Sequence, residues 1–454
     1  MIVISSAGVK DLTKGSCKTA IIGFAFPIFL SQLFQQLYNT ADSLIVGNFC
    51  GKESLAAVSS SGNLIFLFNS FFIGLAVGAG VVISRYYGSG DEDRVSKAIH
   101  TNVLLSIIAG LFTGFIGVVF SPYILTAMGT APNVLPESIT YFQWYFVGAP
   151  AMTMYNILKG IMNALGDTKR PLWYLIISSV LNVILDLILV KPFGVAGAAI
   201  ASTISQTLSV VLCLIHLMKK GNIYTISLKK LGFDKEMLSE TLKYGVPSGI
   251  QNSVIGFANV LVQTNINSFG DNAMAACGSY AKIEGFAFMP ITSFSMSLTT
   301  FIGQNLGAGE KGRAKEGARF GIIAGVILAE IIGVLTFLFG RFLVGCFNSD
   351  PAVLEIGSLQ CRTEALFYCL LSFSHCVAGV CRGAGKSFVP MFVMLSVWCI
   401  FRIIYITVAM QIRHTIILLF LAYPITWTIS SVIFYVYLKK SDWVNGFDRG
   451  AKNI

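Results

Sequence analysis

Arg85-Tyr86-Tyr87-Gly88-Ser89-Gly90-Asp91, with Arg94 beyond it, decides the architecture, because it returns 219 positions later as Gln304-Asn305-Leu306-Gly307-Ala308-Gly309-Glu310 with Arg313. At the same offset Gly160, Leu165-Gly166-Asp167 and Pro171 return as Gly379, Ala384-Gly385-Lys386 and Pro390. Pro27 with Pro247, Gly51 with Gly270, and Ala56-Ala57 with Ala275-Ala276 hold the register to within one residue. The chain contains itself twice. Both copies lie in apolar sequence, and a duplicated membrane unit is how many secondary transporters are built, since two similar bundles can rock about a shared axis.

The 454 residues are 55% hydrophobic and only 12% charged, with mean hydropathy +0.73, outside the range of water-soluble globular chains. Runs long enough to cross a hydrocarbon core of about 30 Å are expected near 20–47, 55–84, 97–120, 138–164, 171–190 and 194–218, and again near 243–269, 273–302, 317–344, 353–381, 388–410 and 415–438. Lipid cannot satisfy free backbone groups, so the spans should be helices. The expected fold is an all-α integral membrane protein of twelve spans in two pseudo-symmetric six-helix lobes. Residues 1–221 form the first lobe, 222–242 a cytoplasmic linker, and 243–454 the second lobe with a short tail. Six spans per half make the repeat parallel. No short apolar core with a small-residue cleavage site opens the chain, so a removable signal peptide is not expected.

The net charge of +10 reports orientation and no nucleic-acid partner. Twenty-four Lys and Arg fall on the side of the termini and the even-numbered loops, from Lys10 to Lys452, against four on the other, Lys52, Lys191, Arg341 and Arg413. By the positive-inside rule both termini should be cytoplasmic. Lys159, Lys282, Arg362 and Arg402 lie within spans. The ten cysteines make no paired Cys-x-x-Cys set and read as small hydrophobes at helix contacts.

Acidic residues inside spans are costly and default to function. Asp42 lies late in span 1, and Asp186 late in span 5 with Asn182 four residues before it on the same face. Ser202 and Thr203 of span 6 reach a similar depth. These five residues form a candidate cation-coupling site, rich enough in oxygen to hold Na⁺ or to share a proton; helix capping by Asp42 is the competing reading. Pro27 in span 1, repeated by Pro247 in span 7, removes a backbone hydrogen bond and is a candidate hinge. In the second half Glu284 and Arg402 are both expected near mid-membrane as a second polar site, where they form either a structural ion pair that reduces the cost of each or part of a substrate site. Span 7 carries no acidic residue, and Glu330 in span 9 stands alone without a role.

Gly379-Val380-Cys381-Arg382-Gly383-Ala384-Gly385-Lys386-Ser387 imitates a phosphate loop, but the pattern needs glycine where Val380 stands, and it follows an apolar span instead of a strand. No His-Glu-x-x-His or Gly-x-Ser-x-Gly motif is present, so the chain does not read as an enzyme. No cofactor and no metal other than Na⁺ is expected. The aromatic run Tyr141, Phe142, Trp144, Tyr145 and Phe146, with Met152 and Met154, suits bulky organic cations and suits lipid-facing packing equally well.

Across nearly its whole length the chain resembles the multidrug and toxic compound extrusion (MATE) transporters of bacterial type. The resemblance rests on Pro27 to Gly51, Ser84-Arg85-Tyr86-Tyr87-Gly88, Asn163-Ala164-Leu165-Gly166-Asp167-Thr168, Gly194-Val195-Ala196-Gly197-Ala198-Ala199 and Gly303-Gln304-Asn305-Leu306-Gly307. It implies a V-shaped pair of lobes in the cell membrane that exports organic, cationic, drug-like compounds in exchange for H⁺ or Na⁺; a monomer is the expected working unit. The family's amino-terminal cation site is similar to Asp42, Asn182, Asp186 and Ser202, and its bending proline to Pro27. Its span 7 carboxylate has no counterpart here. A flippase for a lipid-linked sugar, with Lys282, Arg362 and Arg402 lining a cationic cavity, is the alternative; a sensor or scaffold is disfavoured because no soluble output domain is present.

Overall fold

A computed structural model describes residues 11–50, 52–128, 130, 132, 134–219 and 224–447. Gly51 of the repeat and Lys10, Lys220, Arg449 and Lys452 of the charge tally lie outside the described residues. The first half is built from α1 (Cys17–Cys50), α2 (Lys52–Ser89), α3 (Glu92–Ala127), α4 (Leu135–Val147), α5 (Ala149–Ala164), α6 (Lys169–Phe193) and α7 (Val195–Met218). The second has α8 (Lys235–Asn267), α9 (Asp271–Gly307), α10 (Lys311–Gly345), α11 (Pro351–Glu364), α12 (Tyr368–Gly383), α13 (Phe388–Met394), α14 (Arg402–Ile412) and α15 (Ile416–Lys440).

These helices make the twelve expected spans, and the protein crosses the membrane many times. Ten spans are long and apolar enough by themselves among the described residues. The other two are α4–α5, a single span broken in the middle, and α8, whose first half is polar. Helix α8 starts at Lys235 instead of Lys243, inside the segment expected to link the halves, because Asp234 caps it by accepting from the Met237 N–H at 3.0 Å.

Spans 4 and 10, expected as continuous helices, are each two helices. In span 4 the break falls at Gly148, followed by Pro150, which has no N–H to give; Gly148 N–H donates to Tyr145 O at 3.0 Å. In span 10 a short 3₁₀ turn, Ala365–Phe367, separates α11 from α12. The carboxylate of Glu330 on α10 accepts from the Cys369 N–H at 3.2 Å and so satisfies one of the free donors that open α12. The residue without a role in sequence is a cap. Span 11 is continuous but passes through a π-helical stretch, Leu395–Phe401, between α13 and α14.

The compact units do not coincide with the sequence halves. One unit takes in Leu30–Gly249, the other Leu12–Phe29 together with the chain from Ile250 on. Helices α1 and α8 each change unit two residues past their prolines, Pro27 and Pro247. Within the first unit, the opening of α8 packs on α2 through two Gly-x-x-x-Gly pairs, Gly74 with Gly78 and Gly245 with Gly249. A Cβ on Gly74 would overlap the Gly249 backbone, and one on Gly78 the Gly245 backbone. Only glycine allows this approach. Asn102 Nδ2 donates to Thr241 Oγ1 at 3.1 Å, Arg85 pairs with Glu240 at 3.0 Å, and Tyr86 Oη donates to the same carboxylate at 3.0 Å.

Within the second unit the opening of α1 is held differently. Ile21, Phe24 and Ile28 bury against Phe294, Leu298 and Phe301 of α9, and Ser297, the repeat partner of Gly78, donates to Ile21 O at 3.0 Å. Arg313 donates to the carbonyls of Leu12 and Lys14, while Gln304 Oε1 accepts from the Leu12 N–H at 3.1 Å. The repeated motif that decided the fold thus grips a carboxylate side chain in one unit and backbone carbonyls in the other.

Overpacking a tight contact costs about 1–3 kcal/mol. Gly78→Ala should therefore lower the melting temperature of the detergent-purified protein, whereas Gly80→Ala, whose new Cβ would lie 3.8 Å from Gly160 O, should leave it unchanged or slightly raised. Equal melting of the two variants would refute the glycine contact.

Candidate functional site

Four of the five predicted cation-site residues come together inside the first unit. The second half of α1 is seated by Ile45 and Val46 against Tyr141 of α4, Val190 of α6 and Val195, Ala198 and Ala199 of α7. That packing brings Asp42 inward, and α6 brings Asn182 and Asp186, both with no exposed surface. The Asn182 amide, with its nitrogen toward the acid, donates to Asp186 Oδ2 at 3.0 Å, and its oxygen accepts from the Ser202 N–H at 3.2 Å. Ser202 Oγ is hydrogen-bonded to Tyr38 Oη at 3.1 Å. Asp42 and Asp186 lie within electrostatic range of each other and of Tyr38 and Tyr141.

Within this cluster two oxygens stand out. Asp42 Oδ1 and Asp186 Oδ1 are buried and have no hydrogen-bond partner among the described residues. An orphaned acceptor of this kind, on a carboxylate in a low-dielectric interior, is expensive unless a cation or a proton meets it. The oxygen donors on hand are two carboxylates, an amide, a hydroxyl and a phenol, which suit a hard monovalent cation or a proton. No cluster of three or more His, Cys, Asp or Glu side chains suited to a metal ion occurs among the described residues.

Thr203 does not join this cluster. Its Oγ1 donates to Ala199 O at 2.9 Å, and its side chain lies against Gly148, where any Cβ would strike it. It lines a small neighbouring cavity bounded by Tyr38, Tyr145, Gly148, Met152, Ser202 and Gln206. The break in span 4 therefore opens beside the acidic cluster, and Tyr145 Oη reaches across it to Met152 Sδ at 3.0 Å. Sequence reasoning missed Tyr38 as a member, although it precedes Asp42 by four residues, the spacing that singled out Asn182 and Asp186.

The expected Glu284–Arg402 ion pair does not form. Arg402 donates instead to Thr426 Oγ1 at 2.9 Å, with its guanidinium 4.4 Å from the Tyr423 ring centre. The second unit's polar cluster is larger than the pair expected. Glu364, fully buried at the end of α11, accepts from Gln360 Nε2 at 2.9 Å; Tyr280 and Tyr368 share a hydrogen bond at 3.0 Å; and Glu284 follows Tyr280 by one turn. Glu284, Glu364 and Arg402 are within electrostatic range of one another. Lys282 lies over the Phe347 ring and Arg362 is exposed, so neither contributes to this cluster.

The sequence profile of the MatE family matches residues 27–188 and, a second time, 247–408. The chain belongs to the MatE family. Its members are transporters, not enzymes. The chain is 27% identical over 427 residues to a Bacillus subtilis protein named "Probable multidrug resistance protein YoeA", covering 91% of this chain and 92% of that one. It is 24% identical to the multidrug export protein MepA of Staphylococcus aureus, over 81% of this chain and 82% of the relative. Among solved structures, the outward-facing conformation of a multidrug resistance MATE transporter of the MOP superfamily aligns with a TM-score of 0.89 at 22% identity, over 96% and 97% of the two chains. A Pyrococcus furiosus MOP superfamily transporter, described as having a binding pocket of reverse polarity, aligns with a TM-score of 0.88 at 21% identity, over 96% and 99%. Both structures share the fold. The family is that of multidrug efflux transporters, and each family match falls on one copy of the repeat.

Because Thr426 and not Glu284 holds Arg402, Thr426→Val should destabilise the purified protein by about 1–3 kcal/mol, the cost of leaving a buried donor unmet. Glu284→Gln should change it by less than about half as much. Thermal melts of the two variants decide, and the reverse ranking would reinstate the ion pair.

Proposed function

We propose that the protein is a secondary active antiporter that exports organic, cationic, drug-like compounds in exchange for H⁺ or Na⁺, with Asp42, Asn182, Asp186 and Ser202 as the coupling site. The observation that carries this reading is the pair of buried, unpartnered oxygens, Asp42 Oδ1 and Asp186 Oδ1. In the proposed cycle a cation arriving from the outer side meets these oxygens and removes their desolvation cost. A state that has lost the cation is driven back toward one in which water reaches the carboxylates. Exchange follows if the substrate binds best to the cation-free state.

The reading extends to conformational coupling. Pro27 lies on the same helix as Asp42, two residues before α1 changes unit. Bending there would let occupancy of Asp42 bias where the first half of α1 lies, with Thr203, Tyr145 and the cavity beside Gly148 adjusting to the change. The proposed setting is the cell membrane with both termini cytoplasmic, small organic substrates as the only partners besides lipid, a monomer as the working unit, and no cofactor.

Efflux of a fluorescent organic cation from vesicles, under a pH gradient and a Na⁺ gradient imposed separately, tests the proposal and names the ion. One gradient should drive export in the wild type. Asp42→Asn and Asp186→Asn should each lower that export at least tenfold while remaining folded in the membrane. Undiminished export in both variants would remove the coupling assignment.

A further inference from the structure

The segment between α7 and α8 carries a feature that the transport reading leaves unused. Residues 224–234 do not hang free. Ile226, buried, donates its N–H to Leu217 O at 2.9 Å. The Ser227 N–H donates to His100 Nε2 at 3.0 Å, with His100 Nδ1 held 2.7 Å from Ser96 O. The Asp234 N–H donates to Thr101 Oγ1 at 3.0 Å, and Thr101 Oγ1 in turn donates to Gly232 O at 3.4 Å. Two consecutive residues of α3 therefore pin both ends of a short turn that includes one 3₁₀ segment, Leu228–Lys230.

What the pinned turn exposes is unusual for a water-facing loop. Leu228 is 68% exposed and Phe233 47%, and Lys229, Lys230 and Lys235 stand exposed around them, with Lys219 at the end of α7. None of these four lysines forms an ion pair among the described residues. The acids nearby are engaged elsewhere: Asp234 caps α8, Glu236 meets Arg94 at 3.7 Å, and Glu240 meets Arg85.

The tether also sets the height of the turn along α3. Thr101 lies about 14 Å along the helix from Glu92, at 1.5 Å per residue. Before it come the charged residues Glu92, Asp93, Arg94 and Lys97; beyond it the first exposed apolar residue of α3 is Ile108, followed by Leu111, Phe112 and Phe115. The pinning point therefore falls between the charged end of the helix and the start of its lipid-facing surface, where the headgroup layer lies. Two apolar side chains that reach into that layer, ringed by unpaired ammonium groups, complement a negatively charged leaflet surface.

We infer that the turn from Leu228 to Phe233 is a membrane-surface anchor that inserts Leu228 and Phe233 into the headgroup layer and takes anionic phospholipid headgroups on Lys219, Lys229, Lys230 and Lys235. Only Asp234 separates the turn from α8, so the anchor fixes the base of a helix that changes unit further along. The inference is independent of the coupling ion and of the exported compound.

The test uses the full chain in lipid nanodiscs, with tryptophan introduced by Leu228→Trp and the wild type as the background. Acyl-brominated phosphatidylglycerol should quench the added emission at least twofold more than brominated phosphatidylcholine at equal content. That preference should vanish when Lys229→Gln and Lys230→Gln are added. Added emission that neither lipid quenches, but aqueous acrylamide does, would overturn the anchor. Equal quenching by both lipids would overturn the anionic selectivity, and loss of the preference on adding inorganic phosphate would reassign the lysines to a free-anion site. Native mass spectrometry of the Lys229→Gln/Lys230→Gln protein, without the tryptophan, gives a second reading: fewer retained phosphatidylglycerol molecules than the wild type are expected, and an unchanged number would count against the inference.

Discussion

Everything in this molecule answers to one rule of the hydrocarbon core, that each backbone N–H and C=O must find its partner inside the protein. The helices follow from it directly, and so does the placing of their interruptions. Span 4 breaks at a glycine whose N–H still reaches Tyr145 O, and span 10 breaks where Glu330 of a neighbouring helix receives a freed N–H. The prolines at 27 and 247 leave their helices intact and coincide with the points where those helices change unit. Irregular backbone is permitted only where other groups stand ready to meet it.

The two breaks occupy matching places in the repeat, and the chemistry beside them has diverged. Tyr145, three residues before Gly148, corresponds at the repeat offset to Glu364, just before the 3₁₀ turn of span 10. In the first unit the acids come from α1 and α6 and face an asparagine, a serine and a tyrosine. In the second they come from α9 and α11 and lie among Tyr280, Tyr368 and Gln360, with an arginine in range. Duplication supplied two equivalent interiors, and both keep buried carboxylate oxygens without a hydrogen-bond partner, Asp42 Oδ1 and Asp186 Oδ1 in one and Glu364 Oε2 in the other; what differs is that the second has an arginine, Arg402, in range of its acids.

Much of this was legible in the residues. Apolar runs located the spans, the 219-residue offset exposed the duplication, and helical spacing joined Asn182 to Asp186. Depth along a helix, however, gives height and not direction around the axis, which is why Glu284 and Arg402 matched in depth without meeting and why Thr203 missed its neighbour's cluster. The break at Gly148 carried a signal in the glycine and Pro150; the one at 365–367, in Glu-Ala-Leu-Phe, carried none, and the carboxylate that meets its freed N–H sits on another helix. The Gly-x-x-x-Gly pairs at 74 and 78 and at 245 and 249 were present to be read, but hydrophobic periodicity does not say which bundle a helix joins.

The exchange of half-helices has a consequence for how the protein is made. A ribosome that has completed α7 has produced every span of the first half, yet the bundle still lacks the strip of α8 that Gly74, Gly78, Asn102 and Arg85 are shaped to receive. The early product has meanwhile lent the opening of α1 to a bundle not yet synthesised. Neither half can therefore mature as an autonomous module during translation, and cutting the chain between α7 and α8 would separate each bundle from a piece of its own core.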